Sequence, residues 1–461
     1  MSPLSELEAA LTQALGARGV KKGAAAAPYG GDKWFAHRQP DFAVLPRTAE
    51  QAAGVLKIAT QFRVPVTPRG AGYGYVGGCV PEQGGIVLST EKMNRILELN
   101  DEDFVAVVQP AVITGELQAA ARMAHLFYPP DPASLKNCSI GGNIATNAGG
   151  PRCLKYGTTR HYVLGLQVAL MDGTLVRLGG RTHKNKTGFD LAGLFVGSEG
   201  LLGIVTEATL RLLPLPTGRA ALSAGFTDMR HAAEAVQAIF HAGFLPAAVE
   251  IADSFTLQAA RAAMPNARRI PPGDAHLLVE IDGQRDSVRL EILALQKVVS
   301  RLKPTAVKIA KTPAECEKLW DLRRGFSQSL KSTGLTKLNE DIVVPRGKLV
   351  DLIAFARQLQ QKSGFPIACF GHAGDGNIHV NIMVEGIDAP GVRAAADQVL
   401  DELFRQILAW GGAITGEHGI GLAKLPWWPQ AANADLRRVH HAIKSALDPH
   451  QLLNPGKFGG A

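Results

Sequence analysis

The stretch that most limits how this chain can fold runs from Tyr128 to Gly157, YPPDPASLKNCSIGGNIATNAGGPRCLKYG. Pro129, Pro130 and Pro132 open it. Gly141, Gly142, Gly149 and Gly150 come later, with Ser134, Ser139, Asn143, Thr146 and Asn147 between or before them. Such a composition predicts neither helix nor strand. Glycine allows positive φ and lets a ligand approach the backbone. Successive amides form an anion-binding nest, and short polar side chains add directed hydrogen bonds. Structureless loops beyond roughly 12–15 residues are uncommon unless functional or disordered, and apolar segments flank this one on both sides. It reads as the seat of a large phosphate-bearing ligand.

A second glycine loop, PRGAGYGYVGG from Pro68 to Gly78, opens with Arg69 and suits a pyrophosphate. Its spacing is not GxGxxG, and the segment after Gly78 has no helix pattern, so a Rossmann turn is excluded. A third tight turn, Gly197-Ser198-Glu199-Gly200, precedes a strand expected at 204–213. Helices are expected over 4–15, over 49–62 behind a Thr48 cap, and from a Thr114 cap to Met123. Asp172-Gly173 signals a two-residue hairpin. The Leu213-Pro214-Leu215-Pro216 segment reads as a boundary. Beyond it strands and helices alternate, which predicts an α+β domain with an antiparallel sheet and helices on one face.

At 461 residues the chain has room for two or three domains, taking about 150 residues for each. Its net charge of +8 is spread without a long basic run, which favours anionic ligands and argues against nucleic acid. None of the five cysteines lies in a CxxC pair, so reduced thiols in the cytoplasm are expected, without thiolate metal sites. No secretory pattern and no run of about 18 apolar residues is present, so no membrane span is expected.

GHAGDGNIHVN, residues 371–381, is the most informative short motif. With Asp375-Gly376 as a two-residue turn, His372 lies opposite His379, with Cβ atoms about 4.5–5.5 Å apart. Both imidazoles and Asn381 then share one face, close enough to hold one metal. The competing reading is a pair of ordinary histidines on a half-exposed hairpin. GEHGIG, residues 416–421, adds Glu417 beside His418. His372, His379 and Glu417 make a two-His, one-carboxylate set with an open position. Zinc suits it, and iron or manganese fit the same ligands.

RGAGYG, PPDPAS…IGGNIATNAGG, VGSEGLLGIVTE, GHAGDGNIH and GEHGIG occur in this order. On that ordered set the chain resembles the FAD-linked 2-hydroxy-acid dehydrogenases of the vanillyl-alcohol-oxidase superfamily. That group includes D-lactate dehydrogenases, the flavin subunit of glycolate oxidase and D-2-hydroxyglutarate dehydrogenases. The resemblance spans residues 43–458. It implies a two-subdomain FAD-binding domain of PCMH type over 1–216, a substrate-binding α+β cap over 217–425, and a return to the FAD domain over 426–461.

The resemblance carries the FAD contacts to Pro68, Arg69, Gly70, Ala71, Gly72, Tyr73, Gly74, Pro130, Asp131, Ser134, Ser139, Gly141, Gly142, Asn143, Thr146, Asn147, Gly149, Tyr156, Gly157, Glu199, Gly203, Ile204, Val205 and Asn454. Relatives with covalent flavin often carry His where Tyr73 stands, so dissociable FAD is expected. The metal falls to His372, His379 and Glu417, usually as zinc. His418 matches the base, and imidazole titrates near neutral pH. Arg323, in LWDLRRGFS, matches the clamp on the substrate carboxylate, with Ser327 a turn further and Asn381 and Lys337 as further substrate contacts. Relatives specific for 2-hydroxyglutarate carry Lys where Asn339 stands, with Lys337 nearby.

The implied activity is FAD-dependent oxidation of a D-2-hydroxy acid, D-lactate or glycolate before D-2-hydroxyglutarate. An ether-lipid synthase and a flavin electron-relay subunit with a structural metal are the alternatives. Quinone, cytochrome, electron-transfer flavoprotein and an iron–sulfur partner subunit all stay open as acceptors. So do a homodimer and membrane association through a partner.

Overall fold

The computed structural model describes residues 3–459. The chain divides into two compact units. The first comprises the residues up to Gly149, Thr158–Leu215 and the residues from Glu417 on, and the second comprises Gly150–Gly157 and Pro216–Gly416. The return to the first unit thus begins at Glu417, ahead of the expected residue 426, and Gly150–Gly157 groups with the second unit. Among the described residues no helix is long and apolar enough to cross a membrane.

The first unit holds two main sheets. One contains β1 (Val20–Lys22), β2 (Phe42–Val44), β3 (Val66–Arg69) and β4 (Ile86–Ser89) in the order β1-β2-β4-β3. The other contains β5 (Ile96–Asn100), β6 (Val105–Val108), β8 (Val163–Ala169), β9 (Leu175–Gly179) and β10 (Ile204–Arg211), in the order β5-β6-β10-β8-β9. Short strands β7 (Leu126–Phe127) and β11 (Leu213–Pro214) pair separately. Helix Ala49–Phe62 forms where expected. Thr48 Oγ1 accepts from the Gln51 amide, and Ala52, Val55, Leu56 and Ala59 bury one face against β2, β3 and β4. Near the C-terminus the Val66 amide donates to Leu452 O at 2.8 Å and the Asn454 amide donates to Val66 O at 2.7 Å, so this segment lies along β3.

Three local expectations are corrected here. Ile140–Thr146, inside the stretch expected to lack regular structure, is an α-helix. A Cβ on Gly141 would stand 2.7 Å from Pro110 Cβ, so this glycine serves close packing and not a left-handed turn. Thr114 is the first residue of its helix and not its cap. Its hydroxyl instead accepts from Asn143 Nδ2 at 2.6 Å. The β8–β9 connection closes over Met171, Asp172 and Gly173, because the Leu170 amide already donates to Thr174 O. Gly173, at φ 87°, is the last residue of a three-residue loop.

The second unit is built on one antiparallel sheet. Its strands are β12 (Gly218–Phe226), β13 (Ala248–Ala252), β14 (Ala275–Gly283), β15 (Ala306–Ala310), β16 (Thr336–Val343), β17 (Ile367–His372) and β18 (Asn377–Val384), in the order β15-β12-β14-β13-β17-β18-β16. Helices Ser254–Ala263 and Pro313–Lys331 cover one face through Leu257, Ala260, Leu319, Leu322 and Phe326. Met229–His241, Arg285–Ser300 and Leu349–Ser363 pack with one another on the other. The expectation of helices on one face is therefore corrected. A strand covered on both faces is buried without alternation, as β13, β17 and β18 are along their full length.

Candidate active site

In the first unit β3 runs directly into the segment from Arg69 to Gly74. Gly72, at φ 70°, lies against the Arg69 guanidinium so closely that a Cβ there would collide with it. A Cβ on Gly70 would come within 2.7 Å of Ser139 Oγ, and Ser139 Oγ accepts from the Ala71 amide at 3.2 Å. Segments 68–74 and 139–149 are thus packed together at a distance only glycine permits. Arg69 Nη1 is buried without a hydrogen bond among the described residues. An unanswered guanidinium nitrogen beside glycine backbone fits an anionic group such as a pyrophosphate. Asp32, which nothing in the local pattern marked, accepts from the Gly78 amide at 3.1 Å and ties down the far end of the loop.

Other expected FAD contacts have structural duties. Asn143 donates to Thr114, Thr146 Oγ1 donates to Gly142 O, and Asn147 Oδ1 accepts from the Arg160 amide. The Pro130 carbonyl accepts from Gln118 Nε2 at 2.8 Å. A Cβ on Gly203 would lie 2.5 Å from Val168 Cγ1, which accounts for that glycine by packing. Tyr73 stacks under the Lys33 ammonium at 4.6 Å. Tyr156 and Gly157 belong to the second unit, where the Tyr156 hydroxyl donates to Asp282 at 2.8 Å. The Asn454 amide nitrogen donates to Gly78 O and Glu199 O. The Glu199 carboxylate accepts from the Ile420 and Gly421 amides at 2.7 and 2.8 Å, next to the GEHGIG loop that carries His418. The His418 ring lies 5.5 Å from the Tyr75 ring.

In the second unit, chemistry concentrates on one face of the sheet. Glu250 on β13 stands opposite His372 on β17, and His372 stands opposite Asn377 on β18. The two-residue turn expected at Asp375-Gly376 is corrected. Residues 373–376 form a four-residue loop, and His379 lies opposite Phe370, not opposite His372. The shift is two residues, so the face is preserved. The histidines are diagonal neighbours with ring centroids 5.8 Å apart and planes at 76°. Their ligand nitrogens and a Glu417 carboxylate oxygen all lie within 4.8 Å of one another. Glu417 is presented by its predecessor: Asp341, opposite His379 on β16, accepts from the Gly416 amide and the Thr415 hydroxyl at 3.0 Å each.

Glu250 is another residue that sequence reasoning missed. Its Oε1 meets His372 Nδ1 at 2.5 Å and its Oε2 accepts from Arg323 Nε at 2.5 Å. Burial pushes the Glu250 carboxyl up, but Arg323 and His372 outweigh it and hold the pKa at about 2. One carboxylate therefore sets the tautomer of His372, with the proton on Nδ1, and holds the Arg323 guanidinium over Phe370 at 4.8 Å. Two imidazole nitrogens and a carboxylate, with one imidazole oriented in this way, fit a divalent cation. Arg324 turns away to Glu317 and Asp321 on the exposed side.

Lys337 lies on the same face, and its Nζ donates to Ser327 Oγ at 2.8 Å, one helical turn from Arg323. Burial first, and then Lys331, lower its pKa to about 8. Asn339 and Asn381 stand opposite each other, and their Oδ1 atoms carry no hydrogen bond among the described residues. The expected substrate residues Arg323, Ser327, Lys337 and Asn381 thus come from β16, β18 and helix Pro313–Lys331. A separate cleft of about 250 Å3, lined by Asp253, Asp274, Arg357 and Cys369 among others, contains none of these residues.

Comparison with known proteins gives this geometry a family. Residues 215–458 match the model of the FAD linked oxidases, C-terminal domain, and residues 40–179 match an FAD binding domain. The glycolate oxidase subunit GlcD of Bacillus subtilis is 38% identical over 91% of this chain and 89% of its own length. A D-lactate dehydrogenase of Anaerostipes hadrus is 32% identical over 92% of this chain and 90% of its own. Among solved structures, p-cresol methylhydroxylase has a TM-score of 0.79 at 19% identity, covering all of this chain and 97% of that one. An alkyldihydroxyacetonephosphate synthase reaches 0.75 at 19% identity over 98% and 85%. These two share the fold alone, and with the FAD binding domain match it is a two-domain FAD-binding fold with an antiparallel α+β domain. With one family model matched across more than half its length and relatives aligned nearly end to end, the chain belongs to the FAD-linked oxidases and is a flavoenzyme.

Proposed function

We propose that the protein oxidises a short D-2-hydroxy acid, D-lactate or glycolate, to the 2-oxo acid. The observation that carries this reading is the Glu250 bridge, which ties an imidazole of the two-His, one-carboxylate set to a buried guanidinium on one sheet face. A hydroxy acid needs these two things side by side, an acceptor for its hydroxyl oxygen and a clamp for its carboxylate. The names of the relatives, glycolate oxidase subunit and D-lactate dehydrogenase, support the substrate class.

FAD, held noncovalently by segments 68–74 and 139–149, supplies the two-electron sink when bound. A divalent cation, zinc by preference, would be held by His372, His379 and Glu417 and supplies a Lewis acid. Arg323 grips the substrate carboxylate with the nitrogens that Glu250 does not occupy. Asn381 offers an amide to the same group. His418 takes the proton that leaves the hydroxyl as the α-carbon is oxidised.

Anaerobic mixing with a panel of D- and L-2-hydroxy acids tests the reading. D-lactate or glycolate should bleach the flavin absorbance, and L-lactate should not. If no member of the panel bleaches it, the reading falls, and a synthase without net redox becomes the better account. A second reading, D-2-hydroxyglutarate as substrate, is favoured by one observation: Lys337 is a second buried cation on the same face. A kcat/KM advantage for the diacid over D-lactate, lost in Lys337→Ala, would establish it.

A further inference from the structure

The His418 loop has little conformational stiffness of its own. Gly419 stands at φ 89° and Gly421 at φ 49°, on either side of Ile420. Glycines so placed leave the backbone free to take several paths, and an imidazole carried on it would be poorly aimed. What fixes the path comes from a distant part of the sequence. Glu199 Oε1 accepts from the Ile420 amide at 2.7 Å and Oε2 accepts from the Gly421 amide at 2.8 Å. Both oxygens of one carboxylate are thus engaged by consecutive amides, in two charge-assisted hydrogen bonds. The fit leaves no slack, since a Cβ on Gly419 would stand 2.6 Å from Glu199 Oε1. The next two amides, of Leu422 and Ala423, donate to Val76 O at 2.7 and 3.0 Å.

Glu199 is itself held in a conformation that a side-chain-bearing residue rarely adopts. Its φ is 49°, between Gly197 at 85° and Gly200 at 72°. Its amide donates to Ala145 O at 2.7 Å and its carbonyl accepts from Asn454 Nδ2 at 2.9 Å. A left-handed non-glycine residue is strained and persists where the surroundings over-determine it, often at functional sites. Burial, the largest influence, raises the Glu199 carboxyl above the ordinary carboxylate range, and the Ile420 and Gly421 amides, with Lys457 and Lys424, offset only part of that. The side chain is kept in place by the groups that it organises.

We propose that Glu199 is the positioning residue of the His418 loop. It fixes the backbone from which the base projects beside Tyr75, a role in place of the FAD contact that the resemblance assigned to Glu199. The proposal rests on the reading of His418 as the base. A misplacement of about 1 Å at a reacting group can cost on the order of a hundredfold in rate.

The test uses the full-length, FAD-loaded protein. Glu199→Gln keeps the volume but sets an NH2 against one of the two amides. It should lower kcat roughly ten- to a hundredfold with KM little changed. Flavin content should equal that of the parent, and hydrogen exchange in the peptide spanning Ile420 and Gly421 should accelerate. Gly419→Ala, which presses on the same carboxylate from the loop side, should reproduce the kcat loss and decides the matter if Glu199→Gln does not fold. A parental kcat in either variant, or loss of flavin in step with activity, overturns the proposal. His418→Gln separates the two claims. If it stays active, the base reading fails. If it is inactive while Glu199→Gln is not, only the role of Glu199 fails.

Discussion

Burial and the Lys331 ammonium lower the Lys337 pKa from 10.5 to about 8. The folded protein therefore holds this proton less tightly than the unfolded chain. Below pH 8 the charged side chain destabilises the fold by a constant amount, and the penalty fades as pH rises from 8 to 10.5. At about 1.4 kcal/mol per pKa unit the penalty is on the order of 3 kcal/mol. Lys337→Met should accordingly be more stable than the parent at pH 7, by about 1–3 kcal/mol, and should lose most of that gain by about pH 10.5. Denaturant unfolding at the two pH values measures this, and a variant less stable at pH 7 would refute it. The same substitution removes a cation from the sheet face that carries Arg323 and Asn381, so under the diacid reading KM for D-2-hydroxyglutarate should rise. A residue that weakens the fold while offering a charge to a ligand is a familiar signature of a binding site.

At the scale of elements, the β17–β18 hairpin carries the two histidines, and its loop geometry decides where they point. Gly376 has φ 84°, and a Cβ there would collide with the Val344 carbonyl. Gly376→Ala should cost about 1–3 kcal/mol and shift the register of the hairpin ends. Thermal unfolding and metal analysis together would check this, and unchanged Tm with unchanged metal content would count against it. This hairpin also marks how far the sequence could be read. Helix Ala49–Phe62 was legible because it has an amphipathic period and a threonine cap. The hairpin was legible as a hairpin, but Asp375-Gly376 resembles the two-residue signal and sits inside a four-residue loop. Ile140–Thr146 was illegible as a helix because Gly141, which packs against Pro110, looks in sequence like a loop glycine. Glu250 and Asp341 had no local mark at all. Their roles arise from lateral neighbours, His372 being 122 residues from Glu250 and Asn377 36 residues from Asp341.

At the scale of the whole molecule, the first unit is assembled from three pieces of chain, the last starting at Glu417. That last piece supplies structure the other two lack. Lys444 Nζ, itself buried, donates to Leu201 O and Leu453 O and pairs with Asp448 at 2.6 Å, and Lys457 Nζ donates to Val80 O at 3.0 Å. A chain ending at Pro449 loses Leu452, Leu453, Asn454 and Lys457 together. It should purify without the yellow colour of FAD while the second unit still unfolds cooperatively. Stoichiometric flavin in the truncated protein would contradict this. The pairing of residues 452–454 with Val66 also imposes an order on biosynthesis. At roughly 5–20 residues per second, β3 leaves the ribosome early and then waits on the order of a minute for its partner segment. Throughout that interval its outer edge presents unpaired amides and carbonyls, the surface on which nascent chains associate wrongly. The unit begun first is completed last, so a slow or interrupted translation endangers the flavin domain before it endangers the domain encoded in between.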